Sequence, residues 1–109
     1  MWNKPTEEEL SKIPPFYATE NIDCPDKIIH MHFFIGSSDW YVSEFDSENQ
    51  MFFGFAILNA DLQNAEWGYF SLQELCEIKI GGFLEIDRDL HFTPKKAKEI
   101  EKIREARGW

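Results

Sequence analysis

Short apolar runs alternate with polar turns along the chain, and the period of each run predicts its element. Thr6 to Ile13 predicts a short helix: Thr6 and Glu9 have the spacing at which hydroxyl and carboxylate satisfy each other's orphan backbone N–H groups, and Pro14–Pro15 stop it. Lys27 to Phe34 (KIIHMHFF) is β-branched and aromatic and predicts a strand. A period of two places Ile28, His30, His32 and Phe34 on one face and Ile29, Met31 and Phe33 on the other. After a turn at Gly36 to Asp39, Trp40 to Phe45 predicts a second strand, with Trp40, Val42 and Glu44 opposite Tyr41, Ser43 and Phe45. A hairpin turn at Asp46 to Asn49 leads to Gln50–Leu58, the most apolar strand and the expected centre of the sheet. Gly54 leaves a gap there for a neighbouring aromatic ring.

A polar loop, Asn59 to Asn64, precedes a short fourth strand at Glu66 to Phe70. Ser71 and Glu74 repeat the capping-box spacing, and Phe70 and Leu75 stand where a hydrophobic staple needs them, so a helix is expected over Leu72–Ile78. Gly81–Gly82 interrupts the pattern. Phe83 to Phe92 then alternates as a strand, with Leu84, Ile86, Arg88, Leu90 and Phe92 facing inward and Glu85, Asp87, Asp89 and His91 facing outward. Thr93–Pro94 opens a last helix with proline at its first position; Ala97, Ile100, Ile103 and Ala106 give it a narrow apolar stripe, and Gly108 is its expected end cap. This order predicts one α+β domain over residues 1–109: a mainly antiparallel sheet of about five strands, two or three packed helices, and a basic C-terminal helix over 94–109. Its expected core is Ile29, Met31, Phe33, Phe53, Phe55, Ile57, Leu75, Leu84, Ile86 and Leu90.

Composition narrows the function classes. Aromatic residues make up 16% of the chain, and the formal charge is -9. Such a charge opposes general nucleic-acid binding, which needs net positive charge to displace counterions from phosphates. The charge is also uneven: residues 1–94 carry seventeen acids and five bases, whereas Lys95 to Arg107 holds six bases and three acids. Direct nucleic-acid contact is therefore expected only through the C-terminal helix, which otherwise docks on its own acidic body. No apolar run approaches the roughly 20 residues of a membrane span. The acidic Glu7–Glu9 segment does not read as an export signal, so a cytoplasmic protein with Cys24 and Cys76 as free thiols is expected.

Chemistry-bearing patterns are few. His30 and His32 share a strand face, and His91, Asp87 and Asp89 share another, but a metal site would need those faces aligned on neighbouring strands. Asp61 with Glu77-Ile78-Lys79 faintly matches a nuclease pattern, with its E-x-K on a helix end where those enzymes use a strand. Nucleophile elbows, phosphate-binding loops and H-E-x-x-H are absent, so neither catalytic residues nor a cofactor or metal are assigned. Arg88 lies on an apolar strand face and needs a carboxylate; Glu44 and Glu66 are the expected partners in a structural ion pair, with an anion clamp as the functional alternative.

The segments L-x-K-I-P-P-F-Y-A-T-E (Leu10 to Glu20), D-K-I-I-H, WYVSEFD, MFFGFAIL, EWGYFSLQEL and LEIDRDLHFTP, in this order, resemble the bacterial family catalogued as domain of unknown function 2958. The resemblance runs from Leu10 to Pro94 and leaves the basic C-terminal helix outside. It implies a small protein carried by plasmids, integrated elements and phages, with no established catalytic activity. Together with the acidic body, it points to an accessory protein that binds a macromolecular partner through Glu85, Asp87, Asp89, His91, Trp40 and Trp67, such as a host nuclease or defence factor that it inhibits. The alternatives are a nucleic-acid module using the C-terminal helix and a small metal-dependent enzyme.

Overall fold

The computed structural model describes residues 1–109. Helix α1 (Glu7–Ser11) carries the full capping box: Thr6 Oγ1 accepts from Glu9 N at 3.1 Å and Glu9 Oε1 accepts from Thr6 N at 2.9 Å. The strands are β1 (Ile28–Ile29), β2 (Met31–Ile35), β3 (Ser38–Asp46), β4 (Met51–Ile57) and β5 (Glu66–Ser71), followed by α2 (Leu72–Glu77). Then come β6 (Lys79–Ile80), β7 (Leu84–Glu85), β8 (Asp87–Arg88), β9 (Lys95–Lys96) and α3 (Glu101–Glu105). The main sheet has five antiparallel strands in the order β5-β4-β3-β2-β8, and two small pairs, β1-β9 and β6-β7, flank it. The expected α+β domain, with its mainly antiparallel five-stranded sheet, is therefore present.

Both faces of the sheet are covered. On the first, Leu10 and Ile13 of the α1 region and Leu72 and Leu75 of α2 pack on Phe33, Val42 and Phe52. On the second, Ala97, Ile100 and Ile103 pack on Ile29, Tyr41, Phe55 and Ile57. Of the expected core, Phe53 and Leu84 are half-buried and Leu90 is 58% exposed. Leu90 falls outside because the last predicted strand does not run through Phe92. It divides into β7, which pairs with β6, and β8, which pairs with β2, and turns at Asp89–Phe92.

Two departures from strict alternation decide where the chemistry lies. A bulge between Val42 and Glu44 adds one residue to β3. It puts Phe45 into the first core beside Trp40 and Val42, and brings Glu44 to the opposite face, paired with Phe53. The second departure is at His30, where β1 breaks from β2 and pairs with β9 instead; Ile29 thereby joins the second core while Met31 and Phe33 stay in the first. Gly54 is also filled differently from expectation. A Cβ there would lie 1.9 Å from the Tyr41 carbonyl oxygen, so strand backbone rather than an aromatic ring occupies the space.

The C-terminal segment differs most from its predicted form. Thr93–Pro94 does not start a helix; Lys95–Lys96 pairs with β1, a 3₁₀ turn covers Ala97–Glu99, and α3 follows. It ends in a Schellman turn, with Gly108 N donating to Ile103 O and Arg107 N to Arg104 O. The left-handed residue is Arg107 (φ 55°), one position before the expected glycine. Gly108 is needed for packing: a Cβ there would approach Ile103 Cγ2 to 2.7 Å and the Phe55 ring to 3.2 Å.

Candidate functional site

The outward face of the predicted last strand is largely committed within the chain. Glu85 binds the Met1 ammonium, which holds its carboxyl below the ordinary range. Asp87 Oδ1 accepts from Asn3 Nδ2 and from Arg88 N, both at 2.8 Å. Asp89 Oδ2 lies 3.3 Å from His32 Nδ1, and its Oδ1 accepts from His91 N; His91 itself is exposed. Trp40, expected beside these acids on a binding face, is only 6% exposed and belongs to the first core, because alternation along β3 turns it inward. Trp67 stands at the other edge of the sheet, half-buried, with its indole N–H donating to the Gly108 carbonyl.

Arg88 does not pair with Glu44 or Glu66. Its Nη1 donates to Glu9 Oε2 at 2.8 Å and its Nε to the Asn3 carbonyl at 2.8 Å. Topology explains the correction. Arg88 is the register partner of Phe33 and shares its face, where α1 packs; the bulge puts Glu44 on the opposite face, and Glu66 is at the far edge strand. The backbone N–H of Thr6, then Arg88, hold the Glu9 carboxyl down to about 2.

The histidines do not gather. No cluster of three or more His, Cys, Asp or Glu side chains is arranged to hold a metal ion. His32 instead links carboxylates: Nε2 is 2.8 Å from Asp39 Oδ1, Nδ1 faces Asp89, and the ring stacks on Tyr41 at 4.5 Å. Asp39 Oδ2 also accepts from Lys102 Nζ at 2.9 Å, which ties α3 to the sheet. Burial alone would push Asp39 up, but the bonds from His32 and Lys102 prevail and keep its carboxyl below the ordinary range. Burial, then the charges of Asp39 and Asp89, push the Tyr41 phenol up. Burial lowers His30. This arrangement is a structural clamp.

The site that sequence reasoning missed lies on the second face, beside the bulge. Glu44, Phe53 and Tyr69 are successive register partners on β3, β4 and β5 and form one row across the sheet. Over that row lies the segment after Pro15. Glu44, 5% exposed, accepts the backbone N–H of Tyr17 at 3.1 Å and of Thr19 at 2.9 Å, and the Thr19 hydroxyl. Tyr17 is thereby held at φ 69°, a left-handed conformation uncommon for an aromatic residue. Lys27, 6% exposed, donates to the Thr19 carbonyl at 2.5 Å and sits 6.0 Å from the Phe53 ring centre. Between these groups is a cavity of 210 Å³ lined by Tyr17, Glu20, Lys27, Glu44, Phe53 and Tyr69. Phe16 packs behind it against Tyr17 (6.0 Å) and Tyr69 (5.3 Å). Tyr17 and Tyr69 are 66% and 57% exposed. Burial, then the neighbouring Tyr17 and Glu44, push the Tyr69 phenol up. The sequence signal was the run Phe16–Tyr17 before Thr19, readable only once the bulge at Ser43 is known.

No helix is long and apolar enough to cross a membrane. No curated protein and no solved structure matches the chain. A family model described as a protein of unknown function (DUF2958) matches residues 10–106. The match includes most of the C-terminal segment, which the motif resemblance had left outside, so every residue of the second core lies within the matched range. The chain belongs to the DUF2958 family.

Proposed function

We propose that this chain is a non-catalytic binding protein, an accessory protein of a mobile genetic element as the resemblance implies, which engages a basic protein partner in the cytoplasm. The observation that carries this reading is the aromatic surface formed by Tyr17, Phe16, Tyr69, Phe53 and Trp67 along edge strand β5. Aromatic side chains bury large areas at little entropic cost and dominate binding energies at interfaces. Glu20 lies beside Tyr17 and Tyr69 on a body that is acidic through residue 94, so the complementary partner is cationic, as a host nuclease's or defence factor's groove would be. The binding surface is thus proposed at β5 rather than at Glu85, Asp87 and Asp89, whose carboxylates have partners within the chain. The nucleic-acid alternative loses support because Lys96 and Lys98 lie against Asp26, and Lys102 against Asp39.

The test is affinity capture from host lysate with wild-type and Tyr17→Ala/Tyr69→Ala protein, over rising salt. A captured basic protein is expected, lost in the double variant and weakened as the Debye length falls below about 8 Å. Phosphodiesterase turnover in Mg²⁺ or Mn²⁺ that disappears in Asp87→Ala would replace this reading with the enzyme alternative. Duplex DNA binding at physiological salt, abolished by reversing the exposed charges Lys98, Arg104 and Arg107 to Glu, would replace it with the nucleic-acid alternative.

A further inference from the structure

We propose that the cavity between Tyr17, Phe53 and Tyr69 is a receptor for a cationic side chain, an arginine guanidinium, projecting from the partner. The inference deepens the reading above and rests on it for the source of that arginine; the cavity's chemistry is argued independently. Three aromatic rings and two carboxylates, Glu20 and Glu44, line it against a single cation, Lys27. Aromatic faces carry partial negative charge and attract organic cations, most strongly where water is excluded. Lys27 engages only one of the three rings, its ammonium 6.0 Å from the Phe53 centre, and leaves Tyr17 and Tyr69 to face a ligand. Its ammonium is directed to the Thr19 carbonyl and hydroxyl, and it makes no ion pair with either glutamate.

Size and geometry agree with this ligand. A volume of 210 Å³ is small for a metabolite site but sufficient for one long side chain. A guanidinium is flat, stacks on aromatic rings and is more weakly hydrated than an ammonium, so it loses least on entering. The walls are preorganised. Glu44 fixes the backbone at Tyr17 and Thr19, and Phe53 and Tyr69 are held 5.2 Å apart between centroids by strand register. Little ordering remains to oppose binding.

The experiment titrates N-acetyl-arginine amide into the full chain and follows the aromatic NMR resonances of Tyr17 and Tyr69, with N-acetyl-citrulline amide as the neutral isostere. Arginine amide is expected to shift both residues saturably, and citrulline amide to bind at least about tenfold more weakly. Tyr69→Ala should remove the binding, Tyr69→Phe should keep it, and Glu20→Gln should weaken it. Tyr69 and Glu20 are exposed, so these variants test the site with the fold intact. Equal binding of the two amides, no binding of either, or unchanged binding in Tyr69→Ala would each overturn the proposal. If the lysate partner binds Tyr69→Ala as well as wild type, the cavity proposal falls while the binding function stands. If arginine amide binds and no partner is captured, the reverse holds.

Discussion

Arg88 and Glu9 show how one side chain can serve two structures. The Glu9 carboxylate closes the capping box of α1 with one oxygen and takes the Arg88 guanidinium with the other. Its carboxyl, ordinarily near 4.5, lies at about 2 in the fold. A depressed folded value means the stabilisation is fully present above the unfolded value and fades as pH falls toward 2. Melting curves of wild type and Glu9→Gln should therefore differ at pH 6 and converge between pH 4.5 and about 2. Arg88→Ala should lower Tm by several degrees at neutral pH, and a Tm equal to wild type would mean that the pair contributes nothing. Gly54 sets a harder limit. The Tyr41 carbonyl oxygen fills the site of its missing Cβ, so Gly54→Ala must push two central strands apart, at a cost of about 3 kcal/mol or more by chemical denaturation.

At the scale of elements, local capping chemistry was legible and tertiary bends were not. Ser71 Oγ accepts from Glu74 N at 2.8 Å, and Ser71→Ala should cost about 1 kcal/mol, measured by urea unfolding. Only this half of the predicted box forms, since Ser71 is still the last residue of β5 and pairs with Met51. Strands β3, β4 and β5 lie within a residue or two of their predicted positions, because turns and aromatic runs are local signals. The bulge at Ser43 is not local. It lets Phe45 reach the first core and Glu44 reach the second face, a gain that appears only when both faces are covered. Missing it assigned the wrong partner to Arg88 and hid the cavity around Glu44. The last helix misled for a related reason: Pro94 suits a helix start, yet pairing Lys95–Lys96 with β1 satisfies backbone groups that a helix would have left to solvent. Asp39, held by His32 and Lys102, joins this segment to β3; Asp39→Ala should cost about 1.5–3 kcal/mol, with faster amide exchange in residues 97–106 as the check.

For the molecule as a whole, the second core is the part that local pattern could not announce. Its C-terminal side is only Ala97, Ile100 and Ile103, with Ala106 at the margin, but it buries Ile29, Tyr41, Phe55 and Ile57 on the second sheet face. Ile103 is fully buried, so Ile103→Ala should cost about 2–5 kcal/mol in denaturant unfolding and release the Trp67 indole from Gly108, visible as a red shift in tryptophan emission. The bond between Arg88 and Glu9 spans 79 residues, and that between Trp67 and Gly108 spans 41. Contacts this distant repay the entropy of loop closure only after most of the chain has come together. The stitched ends of this domain therefore set a clock as well as a shape: refolding followed by tryptophan emission should take milliseconds to seconds, slower than a helical bundle of the same length.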